Sequence, residues 1–184
     1  ISSHYSRMLA RELRLHEPDL PKLLEGTDLP TSVLLPGDET RLSGPQQLRI
    51  MQNARQLYPD PELGLRLGSQ LDPSAHGPIG YLAQSSPDLI TALRALRDFL
   101  PLRIAIAQLG LEVSDPWLRC TLQVRLAAPE EEKRMLLECF ALVLQALVES
   151  VLGKSLTAGR FEFEFSPPTY RKAYRDYFHS PTRF

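Results

Sequence analysis

The sequence predicts an α+β fold, with a helical N-terminal half followed by a small antiparallel sheet on which a long helix packs. Apolar residues recur at helical spacing in the first half, whereas apolar and polar residues alternate strictly over positions 118–126. Residues 129–152 return to a helical period with a wide apolar face. That long helix opens with three glutamates, which suit a helix N-terminus, and Gly153 fits its end. A chain in which helices precede a sheet that is covered by one long helix is typical of the α+β class.

The helices of the first half are marked by their starting residues. In Ser86-Pro87-Asp88, a capping serine precedes a proline and an acidic residue, which is the usual chemistry of a helix N-terminus. Leu89, Leu93 and Leu96 then share one side of the helix that follows. The predicted helices of this half cover residues 3–15, 19–24, 45–58, 61–70 and 88–100.

The second half is predicted to contain the strands. Over residues 118–126 the even positions are apolar and the odd positions are polar, which indicates a half-buried strand. The apolar stretch 103–113 indicates a more buried strand, and Ser114-Asp115-Pro116 supplies a turn, so the two strands are expected to form a hairpin. Residues 160–165 alternate again, and residues 169–178 have the spacing of an amphipathic helix.

Length, charge and cysteine usage favour one cytoplasmic domain. The 184 residues fit a single domain, with a helical lobe over residues 1–100 and an α/β lobe over residues 101–184. Lys and Arg total 21 against 22 for Asp and Glu, so a net charge of −1 provides no basic surface for nucleic acid. No unbroken apolar run approaches the roughly 18 residues of a membrane span. The charged N-terminus does not resemble a signal peptide. We therefore expect no membrane partner. Cys120 and Cys139 lie in apolar contexts outside any CxxC pair, as in a reduced protein.

The motifs of common enzyme classes are absent from the sequence. It has no GxSxG, no phosphate-cradling glycine loop and no GxGxxG, and its four histidines show no metal-ligand spacing such as HExxH. Glu162 and Glu164 share one strand face, but a solvated surface explains them better than an acid–base pair. The sequence therefore predicts a protein that is not an enzyme and that uses neither a metal nor a cofactor.

The most informative stretch is SAHGPIGY, residues 74–81. Its two glycines around Pro78-Ile79 indicate close packing or a turn, followed by the start of a helix. His76 and Tyr81 bring polar groups next to apolar surface. One interpretation is a structural elbow between two helices; the other is that His76 or Tyr81 lines a pocket for a small molecule.

Three segments resemble, in order and spacing, one branch of the AraC-type transcription regulators. PELGLRLGSQL is similar to the DP-x-LGL-x-LG segment of that branch, and YRKAYRDYFHSPTRF is similar to its Y-x-x-x-F-x-x-PV-x-F ending. Between them, HGPIGYLAQSSPDLITALRALRDFLPLR resembles the HG-x-hydrophobic-GY-A motif and the S-x-T-L-x-x-AL segment that follows it. Asp88 replaces a threonine of the pattern, and Leu82 displaces the small residue by one position to Ala83. The resemblance covers roughly residues 5–184 and is to the N-terminal, arabinose-binding-like domain.

The resemblance implies a regulatory domain. In this family a small-molecule effector or a dimer contact biases DNA binding by a C-terminal domain with two helix-turn-helix motifs. We expect that domain to be absent from this chain, so that DNA is bound only through it. The expected protein is a bacterial, cytoplasmic homodimer that senses an effector. The alternative is an oligomerisation module of such a regulator that binds no ligand.

Two sets of residues are candidates for these roles. For the effector pocket, His76 and Tyr81 are joined by Trp117 and by Arg103. Arg103 begins a predicted buried strand and either anchors an effector carboxylate or pairs with an acidic residue. The candidate interface between chains is the aromatic side of the last predicted helix, formed by Tyr170, Tyr174, Tyr177 and Phe178.

Overall fold

The structure is a computed structural model that describes residues 1–71, 80–82 and 85–184. Its contacts divide the chain into two compact units, each made of two segments. The first unit comprises Ile1–Pro61 and Leu126–Glu132, and the second comprises Glu62–Arg125 and Lys133–Phe184.

The first unit is helical. Its elements are α1 (Ser3–Glu12), a 3₁₀ turn (Glu17–Asp19), α2 (Leu20–Leu23), a second 3₁₀ turn (Thr31–Leu34) and α3 (Gly44–Leu57). A capping box begins α3, because Ser43 Oγ accepts a hydrogen bond from the Gln46 N–H and Gln46 Oε1 accepts one from the Ser43 N–H. The buried Asn53 side chain donates to the carbonyl oxygens of Leu23 and Glu25, at 3.0 and 2.8 Å, and so ties α3 to the end of α2.

The second unit combines helices with two pairs of strands. Its elements are α4 (Leu63–Gln70), α5 (Leu89–Arg103), β1 (Ala107–Ser114), β2 (Trp117–Val124), most of α6 (Glu130–Leu152), β3 (Phe161–Glu162), a 3₁₀ turn (Arg171–Ala173), α7 (Tyr174–Tyr177) and β4 (Thr182–Arg183). The β1–β2 pair is an antiparallel hairpin in which Ala107 lies opposite Val124 and Ser114 opposite Trp117. The β3–β4 pair is parallel.

Helix α6 is the centre of the second unit. Two hydrophobic clusters form along it. One consists of Leu65, Ala141, Leu142, Tyr174 and Phe178. The other consists of Ala92, Leu93, Leu147 and Val148, with half-buried side chains of the hairpin packed against it. Helix α4 crosses α6 closely at Gly64 and Gly68, where an added Cβ would lie under 3 Å from the α6 backbone.

The predicted α+β class is confirmed, and three of its details are wrong. Arg103 does not begin a strand: it is the last residue of α5, and β1 starts only at Ala107. The Ile104 N–H donates to the Leu100 carbonyl oxygen at 2.8 Å, so the backbone is still helical where a strand was expected. Residues 160–165 contribute only the two-residue β3, which pairs in parallel, and residues 169–178 form a 3₁₀ turn followed by the single turn of α7.

Among the described residues, one helix, α6, is long and apolar enough to cross a membrane, with a mean hydropathy of 1.9 over its most apolar window. Three of its polar side chains nevertheless have partners in the second unit. Gln145 accepts a hydrogen bond from the His179 N–H, Glu149 accepts one from the Leu156 N–H, and Glu138 accepts two from tyrosines. Together with the two clusters along its length, these bonds identify α6 as the core helix of this unit.

Candidate functional site

Two of the four predicted effector residues are exposed. Tyr81 is 63% exposed, and Trp117, the first residue of β2, is 61% exposed. Arg103 lies at the C-terminal end of α5, and His76 lies outside the described residues. An effector role for these four residues therefore stays a prediction.

A polar pocket is present in the first unit. It has a volume of about 380 Å³ and is lined by Gln52, Arg55, Gln56 and Glu132. The first three residues share one face of α3, because they are three and four positions apart. Glu132 comes from the first turn of α6. The volume lies within the range of roughly 300–1,000 Å³ that is usual for small-molecule sites.

The pocket is organised by the guanidinium group of Arg55. One of its terminal nitrogens, Nη1, lies 2.6 Å from Glu132 Oε1, and the other, Nη2, contacts Glu131 Oε2. Burial alone would lower the pKa of Arg55, but the hydrogen bonds and charges of the two glutamates outweigh it and raise that pKa above its ordinary value. Both terminal nitrogens of this cation are therefore committed to carboxylates of its own chain.

Glu132 is the unusual residue of the pocket. Its side chain is only 6% exposed, whereas that of Glu131 is 58% exposed. Its Oε1 accepts from Arg55, but its Oε2 is buried and has no hydrogen-bond partner. Buried carboxylate oxygens are nearly always hydrogen-bonded, since an unpaired one costs free energy. Glu132 therefore lines the pocket with a carboxylate that has one unpaired oxygen, and that oxygen is shielded from solvent.

A second buried carboxyl group, that of Glu138, lies in the second unit. Its Oε1 accepts hydrogen bonds from the hydroxyls of Tyr170, at 2.7 Å, and Tyr174, and Arg134 stacks 5.7 Å above the Tyr170 ring. Burial raises the pKa of Glu138, although the tyrosine hydrogen bonds and Arg134 oppose that shift. Burial and the bond to Glu138 also raise the pKa of both tyrosines. The cluster fastens the C-terminal segment to α6.

The two cysteines are poor nucleophiles. Burial raises the pKa of the Cys120 thiol to about 11. Burial, together with the nearby charge of Glu138, raises the pKa of the Cys139 thiol to about 12. Because the thiolate is the reactive form, neither side chain is activated at neutral pH. Among the described residues, no group of three His, Cys, Asp or Glu side chains is placed to hold a metal ion.

The predicted aromatic interface is largely internal. Tyr174 is fully buried and Phe178 is 5% exposed, and both belong to the cluster around Leu142. Tyr170 and Tyr177 are half-buried against the same cluster. The helical spacing was interpreted as a free surface, but this segment supplies core side chains to its own chain. Tyr174 and Phe178 are therefore corrected from interface to core residues, whereas a partner contact at Tyr170 and Tyr177 stays a prediction.

The sequence analysis missed the Arg55 pocket. Glu131 and Glu132 were interpreted only as helix N-terminal charges, which they also are. Their partner Arg55 lies 76 and 77 positions earlier in the chain. The one available signal was the polar face of α3 formed by Gln52, Arg55 and Gln56, which resembles any solvated helix face.

The sequence of this chain is similar to those of known proteins. Residues 19–184 match the family described as the arabinose-binding domain of AraC transcription regulators, N-terminal. The chain is also 30% identical over 132 residues to the ornithine utilization regulator of Pseudomonas aeruginosa. That match covers 71% of this chain and 38% of the relative, so the chain spans well under half of the relative's length. The chain therefore belongs to the family of N-terminal arabinose-binding domains of AraC transcription regulators, which is a family of regulatory domains and not of enzymes.

Proposed function

We propose that this chain is the effector-sensing domain of an AraC-type transcription regulator and that it binds a small molecule in the Arg55 pocket. The observation that carries this proposal is the vacant oxygen of Glu132, a buried carboxylate oxygen without a partner on a residue that lines a pocket of ligand size. The set His76, Tyr81, Arg103 and Trp117 is a second proposed site, to be tested separately.

Regulation by this domain requires two states with different affinities for the effector. An effector shifts the equilibrium only by its differential binding to those states, and the same coupling then acts on DNA binding. We propose that DNA contact belongs to a C-terminal helix-turn-helix domain of the full regulator, which acts in the cytoplasm. The net charge of −1 supports this division, because phosphate binding needs a basic surface.

The first test is a thermal-shift screen of the 184-residue chain against sugars, amino acids, polyamines and short fatty acids. Ornithine belongs in this panel, because the name of the Pseudomonas aeruginosa relative concerns ornithine utilization. At about 100 times its Kd, a ligand stabilises the folded state by roughly 2.7 kcal/mol. For a chain of this length that corresponds to a rise in Tm of about 5–10 °C.

Single-residue variants show where on the chain a ligand found in the screen binds. Gln52→Ala removes a pocket amide, and Gln70→Ala removes an exposed glutamine of α4 as a matched control. We expect Gln52→Ala to reduce the ligand-induced rise in Tm and Gln70→Ala to leave it unchanged. No rise in Tm with any compound of the panel would count against effector sensing.

A homodimer is the second proposed property, with ligand-free oligomerisation as the alternative function. Phe99 on α5 is 43% exposed and Val113 and Trp117 at the tip of the hairpin are each 61% exposed, and large exposed apolar side chains favour association. Light scattering of the chain over a concentration series measures its mass. A monomer at all concentrations would count against both the homodimer and the oligomerisation module, and Trp117→Ser tests the hairpin tip if a dimer is found.

A further inference from the structure

We infer that the Arg55 pocket selects a small molecule that carries a positively charged nitrogen, an ammonium or amidinium group, with Glu132 as its partner. This inference rests on the proposed function, since it names the class of effector for the same site. It follows from the charges that meet at the pocket, from the vacant oxygen of Glu132 and from the neutral amides beside it.

Two carboxylates share one guanidinium group at the pocket. Arg55 contributes one positive charge and Glu131 and Glu132 contribute two negative ones, which leaves −1 for the three groups. The exposed Glu131 is screened by solvent, whereas Glu132 is almost fully buried. A cation in contact with Glu132 would therefore be screened less by water than one in contact with Glu131.

The vacant oxygen requires a hydrogen-bond donor. Glu132 Oε2 has no partner, and Oε1 is already held by Arg55. A cationic donor supplies the missing hydrogen bond in its stronger form, since charge-assisted hydrogen bonds are about twice as strong as neutral ones. Because Oε2 is shielded from solvent, a ligand reaches it only if the carboxylate turns about its terminal torsion, which is broad for glutamate.

The same geometry disfavours anionic and neutral ligands. A carboxylate or phosphate group would lie beside Glu132, and both terminal nitrogens of Arg55 already contact Glu131 and Glu132. A hydroxyl group can donate to Oε2, but it forms a weaker hydrogen bond than a charged donor. Gln52 and Gln56 carry neutral amides that both donate and accept, and they suit the polar remainder of a ligand whichever groups it bears.

The experiment compares probes that share a four-carbon chain and differ in charge. Butane-1,4-diamine, butane-1,4-diol and succinate are titrated calorimetrically into the 184-residue chain, with ornithine as a further cationic probe. We expect measurable binding of the diamine or of ornithine, no binding of succinate, and an affinity for the diol that is at least roughly tenfold weaker. Because the contact is electrostatic, the cation affinity also falls as salt is added.

Variants test the role assigned to Glu132. Glu132→Gln keeps the shape and one acceptor for Arg55 but removes the charge, and we expect it to weaken cation binding roughly 10- to 100-fold. Glu164→Gln removes an exposed carboxylate that does not line the pocket, as a matched control, and is expected to change the affinity less than about threefold. Glu132→Asp keeps the charge on a shorter side chain and is expected to bind cations more tightly than Glu132→Gln. The circular dichroism spectrum of each variant establishes that it is folded.

The outcomes separate this inference from the proposed function. The inference is overturned if succinate or the diol binds as tightly as the diamine, or if Glu132→Gln binds the cations as the unchanged protein does. It is also overturned if neither cation binds while a neutral or anionic compound of the wider panel does, and in these three cases effector sensing stands. If no compound of any charge binds, the proposed function falls together with the inference.

Discussion

The crossing of α4 over α6 depends on glycine, and the substitution Gly68→Ala tests that dependence. A Cβ at this position would lie 2.8 Å from the Cys139 carbonyl oxygen and 2.9 Å from both the Cys139 Cα and the Leu142 Cβ. Favourable contacts of a carbon atom lie at about 3.5–4.0 Å. Because two of the three atoms belong to the α6 backbone, they can give way only if one helix moves away from the other.

The expected loss of stability follows from two opposing effects. Alanine is a better helix former than glycine by about 0.8–1 kcal/mol, which favours the variant. Overpacking a close contact costs about 1–3 kcal/mol, and the rigid backbone atoms at Gly68 place this case near the upper end. We therefore expect Gly68→Ala to lower the free energy of unfolding by about 2 kcal/mol. For a chain of this length, Tm would fall by roughly 4–8 °C.

The assay is urea unfolding followed by circular dichroism, with a glycine of the same unit as control. At Gly110 in β1 an added Cβ would meet only Thr121 atoms at 3.6 and 3.7 Å, which is ordinary contact. Gly110→Ala is therefore expected to stay within about 0.5 kcal/mol of the unchanged protein. If Gly68→Ala is as stable as the unchanged protein or more so, helix propensity alone governs the site and the close crossing is refuted.

Three further predictions concern single hydrogen-bonding groups. Tyr174→Phe removes a buried hydroxyl that donates a hydrogen bond to Glu138, and it should lower the free energy of unfolding by about 1–2 kcal/mol. The exposed Tyr58→Phe is the control and should change it by almost nothing. Equal effects of the two variants in urea unfolding would contradict the assigned bond. Because burial raises the pKa of Glu138, the stability that this carboxyl group contributes is complete below its ordinary value of 4.5 and is lost as the pH rises through the raised pKa. The free energy of unfolding of Glu138→Gln, measured relative to that of the unchanged protein, should therefore increase as the pH is raised from 4.5 to 8. If the difference between the two proteins does not vary with pH, ionisation of Glu138 does not affect stability. Ser43→Ala removes the N-cap of α3 and should lower the free energy of unfolding by about 1 kcal/mol. A thermal melt with the same Tm as the unchanged protein would disprove this.

The hairpin was predictable because its signal is local. The alternation over residues 118–126 predicts which side chains face inwards, and Leu118 and Cys120 do pack against the cluster around Leu147. The odd positions, Arg119 among them, are exposed as expected. Strand periodicity depends only on which side of the sheet is covered, so it can be inferred without knowledge of the covering element.

The end of α5 was not predictable from the same kind of signal. The helix was predicted to cover residues 88–100, but it continues through Pro101 to Arg103. A short apolar run such as residues 104–107 has no period that separates a helix end from a strand start. The final segment was misjudged for a related reason: helical spacing identifies an apolar side, but whether that side meets its own core or a partner depends on residues elsewhere in the chain.

The Arg55 pocket could not be predicted from sequence patterns. Arg55 meets Glu131 and Glu132 only after the chain has folded, and nothing in the intervening sequence records that pairing. Surface arginines and helix-starting glutamates are common, so neither residue type identifies a site by itself. The structure adds the burial of Glu132 and its unsatisfied oxygen, which depend on three-dimensional packing.

Helix α6 carries two buried glutamates with an unpaired oxygen, and their surroundings assign them different roles. Glu138 Oε2 lies against α4, where a Cβ at Gly64 would come within 2.5 Å of it, so there is no room for even a methyl group at that point. Burial raises the pKa of Glu138 more than its two tyrosine hydrogen bonds and Arg134 lower it, so protonation of this carboxyl group is favoured. Glu132 lines an open pocket and shares its other oxygen with a cation. The proposed ligand would therefore bind at Glu132 and not at Glu138, and this difference makes Glu132 the residue on which the effector experiments should begin.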